Sequence, residues 1–303
     1  MLSKITITCF AASYAVALGL EVSRLFFRVP IRLMVIALFT AAGLFAHVAF
    51  LVLQVQSAMA QNSGVVLSSW FDWCLVASLV LAGVYFGSMI RHPQNAVGLF
   101  VLPLVLLLVG VASIFQNAEP FTPSAALAVW RSIHGLTLLM GTVIVLLGFA
   151  AGIMYLIQSA RLKHRLPPRQ GFRLPSLETL QKLNKQSLLW STGLLALGLL
   201  SGIVLNVIKQ SKQGQSLSWT DPVVVSSGVL FLWLMTATIF EWVYRPARQG
   251  RKVAYLTLAS FVFLGLALGF VLLGQHGSDA TATQTSHVLW QVLFPGSQLE
   301  VVE

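Results

Sequence analysis

Residues 131–165 read RSIHGLTLLMGTVIVLLGFAAGIMYLIQSARLKHR. No charged side chain occurs from Gly135 to Ile157, while Arg131 and His134 stand at one end and Arg161, Lys163, His164 and Arg165 at the other. A helix needs about 20 mostly apolar residues to cross the hydrocarbon core of a bilayer, since each residue advances it by about 1.5 Å. Hydrocarbon offers the backbone no water, so the run must bond its own amides, as a helix does. The stretch predicts a transmembrane helix over 131–158. Outward along the chain the same criterion predicts further spans over 5–27, 31–54, 69–90, 96–116, 187–207, 223–243 and 253–273. Only Lys4 precedes the first, and no small-x-small site follows it at once, so it reads as a retained helix rather than a cleaved signal.

Composition agrees. Hydrophobic residues make up 57% of the 303 residues and charged residues 9%, with a mean hydropathy of +0.83. A soluble domain carries about 25% charged residues to cover its wet surface. A soluble enzyme, a disordered chain and a nucleic-acid-binding domain are thereby excluded, and no nucleic-acid partner is expected. Cys9 and Cys74 are isolated, so there is no CxxC pair for redox or zinc and no CxxCH for covalent haem. Small buried residues are their ordinary reading.

The net charge of +10 is laid out along the membrane rather than on a binding face. Arg24, Arg28, Arg32, Arg91, Arg161, Lys163, Arg165, Arg169, Arg173, Lys182, Lys185, Arg245, Arg248, Arg251 and Lys252 flank the odd-to-even connections. Only Lys4, Arg131, Lys209 and Lys212 fall on the other side. Basic loops stay in the cytoplasm, so both termini are expected outside. Trp70, Trp73, Trp130, Trp219 and Trp290 fall at or near the outer interface, where amphipathic rings prefer to lie. In the long inner loop, 159–186, Pro167 and Pro168 break the helix and Ser176 starts another with Glu178 in its first turn. With Leu180 and Leu183 on one side, it reads as a short basic amphipathic helix on the membrane surface, an anchor or a place to recruit a cytosolic partner.

Gly148 and Gly152, Gly198 and Gly202, and Gly265 and Gly269 are each four apart, about one turn, and make notches for close helix approach. They predict that spans 5, 6 and 8 pack together. No internal repeat is evident, which weighs against an inverted-repeat transporter. Among the acids, Glu21 pairs with Arg24 along one helix face, Glu241 stands one turn before Arg245, and Asp72 is placed to cap span 3. In Ser218-Trp219-Thr220-Asp221-Pro222, Asp221 can cap span 7 with Pro222 at its first position.

Six histidines remain. His92 and His164 lie beside arginines on the inner side, as solvated loop residues. His47, His134, His276 and His287 lie toward the outside. Alternating spans put His134, early in span 5, and His276, just past span 8, at one membrane level. Two such imidazoles are either wet interfacial residues or axial ligands to one iron. Arg131, one turn before His134, is either an interfacial anchor or a partner for a carboxylate such as a haem propionate.

The order of these pieces is more specific than any one of them: His134, a long span ending Tyr155-Leu156 with the basic SARLKHR, the outer SWTDP, a span holding Trp233, the inner RQGRKVA, and a Gly-rich span ending Gly274-Gln275-His276-Gly277. Over about residues 40–277 the chain resembles the haem-handling superfamily of cytochrome c assembly proteins, CcsA, CcmC and CcmF. It is most similar to the smaller eight-span branch of YpjD and HemX. That resemblance implies a platform remnant for haem in Trp219, Asp221 and Pro222, iron ligands in His134 and His276, and a membrane-embedded histidine in His47. The chain also departs from the pattern. Trp219 alone stands for several platform tryptophans, Val223 replaces a lysine, and Glu241 stands where some relatives have a histidine, which speaks against an inner haem-loading site.

The expectation is an all-α, polytopic protein of the cell (inner) membrane with about eight transmembrane helices. Residues 1–280 would form the membrane domain and 281–303 a short outer tail. It would hold haem b, non-covalently and transiently, for c-type cytochrome maturation, as a chaperone or synthetase component rather than a stand-alone enzyme. Its partners would be haem, apocytochrome c or other assembly proteins, and the bilayer. A HemX-like regulator of haem-biosynthesis enzyme levels and a small-molecule transporter are the alternatives.

Overall fold

The computed structural model describes residues 6–26, 31–60, 69–116, 128–165, 172–213, 222–243 and 250–273. Among them the chain is all-α, with one isolated bridge between Asn95 and Arg173. The helices are α1 (Ile7–Ser23), α2 (Arg32–Ala60), α3 (Trp70–Arg91), α4 (Gly98–Ile114), α5 (Ala128–Lys163), α6 (Leu177–Gln213), α7 (Pro222–Val243) and α8 (Gly250–Leu273). Four apolar segments, Arg32–Ser57, Trp70–Arg91, Trp130–Lys163 and Leu177–Ile208, are long enough to cross a bilayer, and shorter apolar stretches lie in α1, α4, α7 and α8. Large apolar side chains such as Met34, Phe45, Trp190 and Trp242 stand exposed on the helix surfaces, as hydrocarbon permits and water does not. The protein is a helical membrane protein.

Two groups of packed helices meet at α5. One core joins α1–α4 to the inward face of α5, around Phe10, Tyr14, Leu75, Leu102 and Val105. The second lies among α5–α8, around Val145, Leu188, Leu195, Leu230 and Leu234. The contacts fix helix directions. Late in α1, Glu21 accepts a 3.0 Å hydrogen bond from Tyr85 Oη, late in α3, so these helices run the same way. Gly98, the first residue of α4, lies against both side chains, so α4 runs back. Gly148 meets Ser187 and Thr257, and Gly152 meets Asn184 and Ala254, so α6 and α8 both run against α5. The connections after α1, α3 and α5 come together at one end. Arg24 donates to the Asn95 carbonyl at 3.3 Å and to the Gln94 carbonyl, Arg173 donates to the Gln94 side chain, and Ala96 N–H donates to the Arg173 carbonyl at 2.7 Å.

Three local expectations are corrected. The surface helix after Ser176 is not separate: α6 runs 37 residues without a break. Ser176 Oγ does accept from Thr179 N–H at 3.2 Å and starts the helix. But Asn184, Lys185 and Gln186 are polar without being breakers, so the helix continues into the apolar run. Its first turns pack on protein, with Leu180 and Asn184 fully buried and Leu183 outward. Asp72 is not itself the cap of α3. Ser69 is, and Asp72 completes a reciprocal capping box while accepting a 2.6 Å bond from Gln54 Nε2 of α2. Spans 5, 6 and 8 do pack together, but of the three glycine notches only those on α5 and α6 are filled by neighbours, and nothing lies within 4 Å of a side chain placed at Gly265 or Gly269.

Candidate functional site

His134 lies in the second turn of α5, half-buried against α6. Its Nδ1 lies 2.7 Å from the Gly198 carbonyl. A carbonyl can only accept, so Nδ1 carries the proton; in the neutral form of the ring that tautomer leaves the lone pair on Nε2. Ser201 Oγ donates to the same carbonyl at 2.8 Å and lies 3.4 Å from Nδ1. The ring rests on Gly202: a Cβ there would fall 3.0 Å from His134 Cε1 and 3.2 Å from Nδ1. The Gly198–Gly202 notch thus seats an imidazole as well as a helix. On α5's α3-facing side, Trp73 covers Gly135 so closely that a Cβ would meet its ring at 2.5 Å. Arg131, one turn before His134, is half-buried and engaged.

His47 occupies a different place, fully buried in the middle of α2. Phe10 of α1 stacks on its ring at 4.1 Å and 3°, and Tyr14 Oη lies 3.3 Å from Nδ1. Its Nε2 is buried without a hydrogen-bond partner among the described residues. The two histidines are not brought together: one belongs to the α1–α2 pair, the other to α5–α6. His92 and His164 are exposed at the opposite end, at the end of α3 and just past α5. Trp219, Asp221, His276 and the outer tail lie outside the described residues, but Pro222 is the first residue of α7.

Phe10, Tyr14, Gly198, Ser201 and Gly202 surround these histidines, and no sequence pattern tied them to those rings. One signal was present: Gly198-Leu199-Leu200-Ser201-Gly202 puts small residues on one face of α6, level with His134. That order and spacing, however, did not reveal which side chain would fill the notch.

Among the described residues no group of three or more His, Cys, Asp or Glu side chains converges. A porphyrin supplies its iron with four nitrogens and asks the protein only for axial ligands. An imidazole whose Nδ1–H is tied to a backbone carbonyl is the arrangement usual for a metal-ligating histidine. His134 thus fits the one role that a porphyrin asks of the protein, an axial ligand.

The family described as cytochrome C assembly protein matches residues 35–277. The chain belongs to that family. The match takes in His47, His134, Trp219, Asp221 and His276, and leaves out α1, which seals His47. No curated protein and no solved structure matches the chain. Membership ties the protein to c-type cytochrome assembly.

Proposed function

We propose that the protein holds haem b at the outer face of the inner membrane for delivery to apocytochrome c. The single observation that carries this is His134, in a chain of the cytochrome c assembly family, with Nδ1–H fixed on Gly198 and its lone pair on Nε2. Haem is cargo here, and its vinyl groups would supply the double bonds across which the apocytochrome cysteine S–H groups add. His134 and His276 are the proposed axial ligands. In this reading Trp219 would offer the macrocycle an aromatic surface, Asp221 would shape the loop before Pro222, and Arg131, one turn before His134, would meet a propionate. His47, sealed by Phe10 and Tyr14, is a second imidazole deeper in the bundle.

The reading includes eight crossings with both termini outside. The alternating directions of α1, α3, α4, α5, α6 and α8 support it, as does the gathering of Arg24 and Arg173 at one end. The eight-span reading and the order of motifs fit the smaller YpjD and HemX-like branch.

Detergent-purified protein should carry haem b with a low-spin absorption spectrum, because two imidazoles impose a strong field on iron. Trp219→Ala should lower haem retention while insertion is unchanged. Substrate flux with no haem bound would instead favour a transporter, and a cytosolic haem-biosynthesis enzyme retained through residues 159–186 would favour a regulator.

A further inference from the structure

The Gly198 carbonyl accepts from His134 Nδ1–H at 2.7 Å and from Ser201 Oγ–H at 2.8 Å. Ser201 is almost fully buried, and the imidazole lies over the bare Cα of Gly202. A methyl at 202 would force the ring to give by a few tenths of an ångström. Nothing comparable surrounds Gly193, lower on the same helix, where an added Cβ meets nothing within 4 Å. The notch thus constrains the ring in three ways: a floor, a fixed tautomer, and a backbone acceptor that no rotamer change can withdraw.

We propose that the Gly198–Gly202 face of α6 is a positioning seat that holds His134 with Nδ1–H on the Gly198 carbonyl and presents Nε2 to the iron. This deepens the haem reading and rests on it. The carbonyl raises the electron density of the ring and removes the competing tautomer, so Nε2 is a better and pre-oriented donor. Outer partners of this kind typically govern metal affinity by about 10–100-fold. Gly198 and Gly202 are positioning residues, since neither touches the iron.

The test is chemical rescue of haem-loaded His134→Gly protein in detergent, read by absorption spectrum. 4-Methylimidazole has a ring N–H for Gly198 while its other nitrogen ligates; 1-methylimidazole ligates but has no N–H to donate. Relative to their ratio on haem in the same detergent without protein, 4-methylimidazole should restore the low-spin spectrum at a concentration lower by about tenfold or more. Gly202→Ala should shift the spectrum of the full chain toward that of His134→Gly, and Gly193→Ala should not. Equal rescue by the two imidazoles, or a Gly202→Ala spectrum identical to that of Gly193→Ala, overturns the seat and leaves His134 as a ligand. A His134→Gly spectrum identical to wild type overturns the ligand reading, and the seat with it.

Discussion

At the scale of single residues, the polar side chains inside this apolar bundle are spent in two ways. Glu21 is held between Tyr85, which donates to it at 3.0 Å, and Arg24, 3.6 Å away, and it ties α1 to α3 where α4 begins. A buried carboxylate stripped of a partner is costly, so Tyr85→Phe should lower stability by about 1–3 kcal/mol, read as thermal unfolding in detergent. An unchanged midpoint would mean that Arg24 alone satisfies the carboxylate. Haem content should be untouched by that change, because the clasp lies at the end of the bundle away from His134. The histidines are spent differently. His134 faces a carbonyl and a bare glycine; His47 faces two aromatic rings, with Nε2 left over. His92→Ala and His164→Ala should leave any haem spectrum as it is, since both are exposed at the far end. A change with either would move the site to the inner side. The identity of the candidate histidines was legible in the sequence, because polar residues in apolar runs are conspicuous. Their partners were not: Gly198 is 64 residues from His134 and Tyr14 is 33 from His47, and no local pattern reports such pairings.

At the scale of helices, apolar length places the elements well and their ends poorly. All eight apolar runs are helical, since a run that must satisfy its own amides has little choice. The ends of α5 and α6 extend beyond the apolar windows because a helix stops at a breaker or a cap, not at a change in polarity. Pro167 follows α5 and Ser176 stands just before α6, and the polar Arg161 and Lys163 at the end of α5 and Glu178 to Gln186 at the start of α6 are helical. Small-residue spacing has a similar limit. It shows that a face is flat, not that a neighbour uses it. The contrast can be measured. A methyl at Gly148 would fall 2.7 Å from Thr257 Cγ2 and 2.9 Å from Ser187 Cβ, both buried and close to backbone. Gly148→Ala should therefore cost about 1–3 kcal/mol through overpacking. Gly265→Ala meets open space and should be neutral or stabilising by up to about 1 kcal/mol, because Ala is the better helix former. Equal unfolding temperatures for the two variants would contradict the three-helix junction of α5, α6 and α8.

At the scale of the whole molecule, two helix groups share α5, and the helix with the candidate ligand is the one with neighbours on both sides. Among the described residues α5 packs against α3, α4, α6 and α8, so a ligand there sits on a helix held from both groups. The connections after α1, α3 and α5 gather at one end, and His134 lies toward the other. With cytoplasmic retention of basic loops, a reporter active only outside the membrane should work when fused after Glu303. A cytoplasmic signal would remove one crossing and separate His134 from the level of His276. Both residues fall inside the matched family segment. The most direct test of the account is the absorption spectrum and haem content of the His134→Ala, His276→Ala double variant beside wild type. The account predicts loss of the low-spin spectrum and of most bound haem, with partial return on adding imidazole. Wild-type haem content and spectrum in the double variant would contradict it.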